Sequence, residues 1–168
     1  MKKVKGDLLE MMENAQFDIM VHGCNCLHAM GSGIAGQIAR RPGWQAVLQA
    51  DKEQTEKGDR SKLGSFSAAM LTINDHEFVV LNAYTQYAPR TSPEDCPVDY
   101  TALVDFFREL GNDLRDSAAE REANGVPPIR IAYPQIGCGL AGGDWRIVEF
   151  IIDTYLVGLD HTCVEYSR

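Results

Sequence analysis

The sequence predicts an α/β protein of three layers, in which a sheet lies between helices. Short apolar runs typical of buried strands alternate along the chain with longer amphipathic segments. Two glycine clusters, Gly31–Gly36 and Gly137–Gly143, stand where a strand leads into a helix. With 168 residues the chain has the length of one domain, so we expect a single unit over residues 1–168.

The first third of the chain predicts two strands and two helices. Residues 1–5 alternate weakly, which predicts a short edge strand, and Phe17–Val21 is a compact apolar run typical of a buried strand. We expect that strand to end at His22 and Gly23. After the first glycine cluster, residues 34–40 and 43–57 are predicted to be helical, separated by a break around Pro42.

The rest of the chain predicts a hairpin followed by alternating helices and strands. Ser65–Ile73 and Phe78–Tyr84 are β-rich, and the Asn74-Asp75 pair between them indicates a tight turn. Apolar residues at helical spacing predict an amphipathic helix over residues 100–124. The remaining predicted elements are a strand at 129–133, a helix at 145–157 and a strand at 163–166.

Charge and composition exclude several classes of partner. Sixteen basic against twenty-four acidic side chains give a net charge of −8, so the footprint that a generic nucleic-acid binder needs is missing. No run approaches the ~18 apolar residues of a membrane span, and we expect no membrane partner. Five cysteines without a pattern favour reduced thiols, and the expected location is the cytoplasm.

The two glycine clusters point to a small anionic ligand. Ligands of open α/β sheets bind at the carboxyl ends of strands, and successive backbone N–H groups in glycine-rich turns form anion-binding nests. The alternative is that these glycines only permit tight turns. Gly31-x-Gly33-x-x-Gly36 matches the dinucleotide fingerprint in letters, but the acid at the expected distance, Asp51, lies in a predicted helix rather than at a strand end. We therefore reject a dinucleotide-binding fold.

Four alternating residues, His22, Cys24, Cys26 and His28, suggest a zinc site at first sight. In an extended segment they would be strung along one face about 6.6 Å apart, and they could not converge on one ion without strong folding-back. We expect buried cysteines and no metal. His22, at the predicted strand end, either faces the ligand crevice and titrates there or is a hydrogen-bonded structural histidine. Asn25 either grips a vicinal diol or holds a turn.

Three ordered motifs resemble those of macro domains. They are Lys5-Gly6-Asp7-Leu8, then Val21-His22-Gly23-Cys24-Asn25-Cys26 with Met30-Gly31-Ser32-Gly33-Ile34-Ala35, and finally Pro134-Gln135-Ile136-Gly137-Cys138-Gly139-Leu140-Ala141-Gly142-Gly143-Asp144-Trp145. The match covers nearly the whole chain. It is closest to the branch that contains ADP-ribose-1''-phosphate phosphatases and terminal ADP-ribose protein glycohydrolases.

The resemblance implies a mixed six-stranded sheet flanked by helices and a cleft for ADP-ribose. Asp7 matches the acid that accepts the adenine amino hydrogen, with a helix N-cap as the alternative. His22 stands where a histidine is proposed to act in catalysis in the yeast-type branch. The ligand-binding residues implied are Gly6, Asp7, Leu8, Gly23, Cys24, Asn25, Met30, Gly31, Ser32, Gly33, Ile34, Ala35, Ile136, Gly137, Cys138, Gly139, Leu140 and Ala141.

Two departures bear on the reaction. The glycohydrolases of this branch carry an aspartate where Ala141 stands, and a lysine after a central strand, where this chain has none between Asn82 and Tyr87. Asp144 is the candidate substitute for the aspartate, although it reads first as the N-cap of the last helix. Tyr84 and Tyr87 either stack near the ligand or pack in the core.

These features predict a metal-independent hydrolase without a cofactor. The resemblance implies that it binds ADP-ribose and hydrolyses ADP-ribose-1''-phosphate to ADP-ribose and phosphate, with His22 and Asp144 as the candidate catalytic residues. The alternatives are a hydrolase that removes ADP-ribose from protein or nucleic acid, and a non-catalytic ADP-ribose reader. ADP-ribosylated macromolecules are therefore further candidate partners.

Overall fold

The sheet has six strands in the computed structural model, which describes residues 1–167. The strands are β1 (Lys2–Gly6), β2 (Ile19–Asn25), β3 (Phe66–Ile73), β4 (His76–Gln86), β5 (Arg130–Tyr133) and β6 (Asp160–Tyr166). Their order is β1-β6-β5-β2-β4-β3. All neighbours pair in parallel except β3, which runs antiparallel to β4. The predicted mixed sheet is confirmed, with β1 at one edge.

Helices cover both faces of the sheet. They are α1 (Leu8–Glu13), α2 (Gly33–Arg40), α3 (Gln45–Gln54), α4 (Tyr100–Ala123) and α5 (Trp145–Tyr155), with a 3₁₀ turn at Arg60–Lys62. One apolar core lies between the sheet and α1 to α3, and a second lies between the sheet and α4 and α5. None of the helices within residues 1–167 combines the length and the apolar character needed to cross a bilayer.

Alternation along β2 sorts its side chains between the two cores. Met20 and Cys24 pack with α1 to α3, whereas Val21 packs with α4 and α5. This follows from the two-residue period of a strand, which points successive side chains to opposite faces. His22 therefore shares the face of Met20 and Cys24, and Gly23 shares that of Val21.

A partly buried ion pair between Arg41 and Glu13 holds α1 against the segment that joins α2 to α3. Arg41 donates to both carboxylate oxygens of Glu13, at 2.7 and 2.6 Å, and the indole of Trp44 donates to the same carboxylate at 2.8 Å. The Arg41 guanidinium beside it lowers the pKa of Glu13. Trp44 is fully buried, and a buried indole N–H needs an acceptor. The Glu13 carboxylate provides that acceptor and also forms the ion pair with Arg41.

The turn between β3 and β4 is the one that the sequence predicts. Asn74 and Asp75 have positive φ angles of 51° and 60°, and Ile73 pairs with His76 across them. Two central residues with positive φ form the hairpin turn whose twist matches that of the flanking strands. The hairpin prediction is confirmed, and β4 begins at His76, two residues before the predicted start at Phe78.

The predicted end of β2 is wrong, because the strand continues through His22 and Gly23 to Asn25. His22, Gly23 and Cys24 pair with Asn82, Ala83 and Tyr84 of β4. Gly23 marks a close approach rather than a strand end. A Cβ atom there would lie 2.8 Å from Thr85 Oγ1 and 3.1 Å from Ile136 Cγ2.

A second close approach joins the two helices of the outer layer. Gly111 of α4 packs against the last turn of α5, where a Cβ atom would lie only 2.1 Å from the carbonyl oxygen of Tyr155. Arg115, one turn further along α4, donates to the same carbonyl oxygen at 2.8 Å. The contact between α4 and α5 thus requires glycine at position 111, because any other residue would add a Cβ atom there.

We expect Gly111→Ala to lower the free energy of unfolding by about 1–3 kcal/mol, because the added methyl group must push the helices apart. Helix propensity alone would instead raise the free energy of unfolding by about 1 kcal/mol. The sign of the measured change therefore shows whether the steric contact or the helix propensity dominates. Urea unfolding measures the change. The control is Ala119→Gly on the exposed side of the same helix, which should cost about 1 kcal/mol by propensity. A Gly111→Ala protein at least as stable as wild type would contradict the described contact.

Candidate functional site: a cleft at the carboxyl ends of the parallel strands

A cleft of about 1300 Å³ runs along one edge of the sheet. Its walls are the segments that end or follow β1, β2, β4, β5 and β6, the five strands that run in parallel. Carboxyl ends of parallel strands meet at one edge, and this is where open α/β sheets bind their ligands. The antiparallel strand β3 contributes nothing to the lining that is described.

The first glycine loop leads into α2, which forms one wall. The helix begins at Gly33, and the side chain of its N-cap residue, Ser32, makes no capping hydrogen bond. The N–H groups of the first helical turn have no acceptor within the helix, so they are open to a ligand. The loop is closed tightly at Gly36, where a Cβ atom would lie 2.8 Å from the carbonyl oxygen of Gly31.

The second glycine loop, which follows β5, is closed in the same way. The N–H of Gly143 donates to the carbonyl oxygen of Gly137 at 2.8 Å, and a Cβ atom at Gly143 would come equally near that oxygen, at 2.8 Å. Gly137 and Gly142 have positive φ angles, both 71°, which favour glycine. Ile136 to Ala141 line the cleft between these points.

Asp7 lines the cleft and also caps α1. Its Oδ1 accepts from the N–H groups of Leu9 at 3.0 Å and Glu10 at 3.1 Å, so Asp7 is the N-cap of α1, and its role towards a ligand stays a prediction. Both capping hydrogen bonds end on Oδ1, which leaves Oδ2 outside the cap. One carboxylate can therefore hold the helix and still present an acceptor to a ligand.

Asn25 holds the turn that leads towards the first glycine loop. Its Oδ1 accepts from Leu27 N at 3.0 Å and Ala29 N at 3.2 Å, and its Nδ2 donates to the carbonyl of Ala29 at 2.8 Å. The turn alternative thus describes this side chain. Asn25 also lines the cleft, at the end of β2.

Of the ligand-binding residues expected from the sequence, all but one line the cleft. They are Gly6, Asp7, Leu8, Gly23, Cys24, Asn25, Gly31, Ser32, Gly33, Ile34, Ala35, Ile136, Gly137, Cys138, Gly139, Leu140 and Ala141. The exception is Met30, whose side chain packs in the core beside α2 and α3. That these residues bind a ligand stays a prediction.

His22 lies in the middle of β2 and faces α3, not the cleft. It is fully buried, and its Nε2 lies 2.6 Å from Asn82 Oδ1. Burial lowers the pKa of His22 to about 4, so the ring is neutral at pH 7. The expectation that His22 faces the crevice is wrong, because the strand does not end there.

The His22 ring belongs to a buried polar network between α3 and the sheet. Asn82 donates to Ser67 Oγ at 3.0 Å, Ser67 contacts the hydroxyl of Tyr84 at 3.0 Å, and that hydroxyl donates to Asp51 at 2.7 Å. All of these side chains are buried. Tyr84 is therefore a core residue of this network and does not stack in the cleft.

Asp144 caps α5, outside the cleft lining. Its Oδ1 accepts from the N–H of Arg146 at 2.9 Å, and its carboxylate pairs with the Arg146 guanidinium at 2.6 Å. The hydrogen bond from Arg146 lowers the pKa of Asp144, so the carboxylate is charged at neutral pH. The geometry is that of the N-cap alternative.

The alternating histidines and cysteines do not converge. Cys24 and Cys26 are buried in the core, while His28 turns away with a positive φ of 57° and contacts Thr55 at 3.1 Å. Across residues 1–167, no three His, Cys, Asp or Glu side chains are placed together to hold a metal ion. Burial raises the pKa of both the Cys24 and the Cys26 thiol.

Sequence reasoning missed two walls of the cleft. Gln86 and the loop Pro89–Pro93, which follows β4, line one end, and Val164–Tyr166 of β6 line the other. The signal was available, because the rule that places ligands at strand ends applies to every parallel strand. The ends of β4 and β6 lack a glycine cluster, so no second local signal marks them as parts of the cleft.

Two proteins of similar length resemble the chain over most of its sequence. No family model matches it. It is 37% identical over 166 residues to an uncharacterized 17.5 kDa protein in the tk-vs intergenic region of Enterobacteria phage T4, covering 99% of this chain and 96% of that protein. It is 25% identical over 167 residues to an ADP-ribose 1''-phosphate phosphatase of Saccharomyces cerevisiae (strain YJM789), covering 90% of each.

A solved structure shares the fold. The macrodomain of Mycobacterium tuberculosis DarG superposes with a TM-score of 0.68 at 23% identity, covering 99% of this chain and 97% of that one. The chain therefore has the fold of macro domains.

Proposed function

We propose that the cleft binds ADP-ribose and that the protein hydrolyses ADP-ribose-1''-phosphate to ADP-ribose and phosphate. The observation that carries the proposal is the pair of glycine loops on the cleft walls, one of which opens the N-terminus of α2. A diphosphate is the group that such backbone donors hold best. The yeast relative, at 25% identity, is named for this activity.

The ligand lies across the strand ends in this proposal. The carboxylate of Asp7 accepts a hydrogen bond from the adenine amino group at the end of the cleft formed by β1 and β6. The diphosphate lies between the glycine loops. The distal ribose then reaches the ends of β2 and β4, where Asn25 and Gln86 line the cleft.

The hydrolysis transfers a phosphoryl group to water. Water attacks the phosphorus of the terminal phosphate, the bond from phosphorus to the anomeric oxygen of the distal ribose breaks, and a proton of the water ends on that oxygen. Phosphoryl transfer depends mainly on positioning and on stabilising charge. The loop N–H groups supply fixed donors for both, and the proposal requires no metal or cofactor.

A second candidate is an ADP-ribose reader without catalysis. The observation in its favour is that the two groups expected from the sequence to move a proton, His22 and Asp144, lie outside the cleft lining. A reader needs only the donors of the two loops and the Asp7 carboxylate.

One assay separates these functions. The purified protein is incubated with ADP-ribose-1''-phosphate, with ADP-ribosylated protein and with ADP-ribosylated nucleic acid, and released phosphate and free ADP-ribose are measured. Phosphate release from the first substrate supports the proposed reaction. Release of ADP-ribose from a macromolecule would show a de-ADP-ribosylating hydrolase instead, and binding without any release would show a reader.

We expect ADP-ribose to bind and to stabilise the fold. At a ligand concentration one hundred times the dissociation constant, the gain in unfolding free energy is about 2.7 kcal/mol. Calorimetric titration and thermal unfolding measure the two effects. AMP is the control and should bind less tightly, because it lacks the second phosphate and the distal ribose. Neither heat nor a thermal shift at millimolar ADP-ribose would refute the proposed ligand.

Asp7 variants should separate the capping role from the binding role. Asp7→Asn keeps an oxygen that can cap α1, so it should retain stability while losing the charged acceptor. We expect adenine-containing ligands to bind it about tenfold or more weakly, since charge-assisted hydrogen bonds contribute ~1.5–3 kcal/mol. Asp7→Ala should lose binding and also about 1 kcal/mol of stability. Unchanged ADP-ribose affinity in Asp7→Asn would show that the carboxylate only caps.

His22 should stabilise the fold in a pH-dependent way. Its pKa is about 4 in the folded protein against 6.5 for a solvent-exposed histidine, so on acidification the unfolded chain takes up a proton that the folded chain excludes. Stability from this group is full above pH 6.5 and falls as the pH drops towards 4, by up to about 3 kcal/mol. In His22→Gln, unfolding free energies across this range should fall less steeply than in wild type.

The same variant tests the catalytic role predicted for His22. Since the ring faces α3, we expect phosphate release by His22→Gln at pH 7 to stay within about tenfold of wild type. A loss of ~10²–10⁴-fold in a variant that folds and binds ADP-ribose normally is the range for a general acid or base, and it would restore the catalytic role.

A further inference from the structure

The charges of the cleft are separated along its length. Three charged side chains line it: Asp7, Glu165 and Arg90. Asp7 follows β1 and Glu165 lies in β6, which are neighbours at one end of the sheet. Arg90 follows β4, on the far side of β5 and β2. One end of the cleft therefore carries two carboxylates, with Arg41 Nη1 at 3.9 Å from Asp7 Oδ1, and the other carries a guanidinium.

The Arg90 guanidinium is held by its own loop. Its Nε donates to the carbonyl of Ser92 at 2.8 Å, and its Nη2 donates to the carbonyl of Pro93. Its Cζ and Nη1 both lie 3.4 Å from the point where a Cβ atom of Gly142 would stand. Arg90 thus rests against the second glycine loop, with Nη1 on the side of that loop.

The positive charge of Arg90 is not neutralised. No carboxylate forms an ion pair with it in the part of the chain that the structure describes, residues 1–167. The loop contains two acids, Glu94 and Asp95, and neither forms an ion pair with Arg90 among residues 1–167. Asp95 Oδ2 instead accepts from Thr91 N at 3.0 Å and Ser92 N at 2.9 Å. An uncompensated guanidinium in a chain with a net charge of −8 suits an anionic ligand.

The loop that carries Arg90 is fastened to the site on both sides. Gln86 and Val98 form a bridge across its base. Cys96 Sγ donates to the carbonyl of Gly142 at 3.4 Å. Fastening of this kind reduces the conformational entropy that a ligand would have to remove on binding.

We propose that Arg90 binds the phosphate on the distal ribose of ADP-ribose-1''-phosphate and makes the cleft prefer this ligand to ADP-ribose. The inference rests on the proposed function, because it requires adenine at the Asp7 end and the diphosphate between the loops. The terminal phosphate then lies at the basic end, where Nη1 of Arg90, which takes no part in the loop hydrogen bonds, donates to a phosphate oxygen and the guanidinium charge attracts it. In the opposite orientation, the phosphate would face Asp7 and Glu165 and be repelled.

The test compares two ligands across four proteins. Wild type, Arg90→Gln, Arg90→Lys and Arg108→Gln are each titrated with ADP-ribose by calorimetry. The KM for ADP-ribose-1''-phosphate is measured by phosphate release, or its dissociation constant by calorimetry where a protein shows no turnover. Arg108 is the matched control, because it is an exposed arginine of α4 and its loss removes the same charge. Thermal unfolding verifies that each variant folds.

We expect Arg90→Gln to weaken the binding of ADP-ribose-1''-phosphate about tenfold and the binding of ADP-ribose less than about twofold. Arg90→Lys should recover part of the loss, since it keeps the charge but loses the guanidinium hydrogen bonds that hold the side chain in place. Arg108→Gln should change neither constant. Equal weakening of both ligands by Arg90→Gln, or no change in either, would overturn the inference and leave ADP-ribose binding intact. A wild-type protein that binds neither ligand would overturn the proposed function and the inference with it.

Discussion

The parallel pairing of β2 with both β4 and β5 determines what the molecule can present to a ligand. Because these strands and the pair β6 and β1 run in one direction, five carboxyl ends meet at one edge. Everything that follows a strand is thereby brought to the same cleft: the cap of α1, both glycine loops and the Arg90 loop. The antiparallel strand β3 forms the opposite edge of the sheet, is joined to β4 by a two-residue turn, and does not line the cleft.

The proposed function places recognition and stability in different parts of the structure. The cleft consists largely of main-chain donors and small residues, whereas the buried titratable groups, such as His22 and Asp51, lie in the layer behind β2 and β4. That layer is held by side-chain hydrogen bonds, which low polarity strengthens and which leave few groups unsatisfied. Asp7 belongs to both parts, since it fixes the start of α1 and faces the cleft.

Local patterns were sufficient for most of the fold. The Asn74-Asp75 turn, the amphipathic helix α4 and both glycine loops have signals within a few residues, and the structure contains each of them. The end of β2 has no such signal. A glycine at position 23 indicates the end of a strand when only the local sequence is considered. Its actual role is to allow a close approach to Thr85 and Ile136, which are distant in the chain. The same applies to His22, whose partner Asn82 is sixty residues away, and to Arg90, whose surroundings depend on which strands are adjacent.

If main-chain amides of the glycine loops bind the ligand as proposed, an evolutionary consequence follows. Every residue type except proline carries the same N–H group, so most loop positions can exchange side chains without altering the donors. The constraint then falls on Gly36 and Gly143, which lie too near a carbonyl oxygen to accept a side chain, and on Gly137 and Gly142, whose positive φ favours glycine. Under this constraint sequences can diverge while the main-chain donors stay in place, and a substitution at a loop position such as Arg90 changes the charge of the cleft without altering those donors.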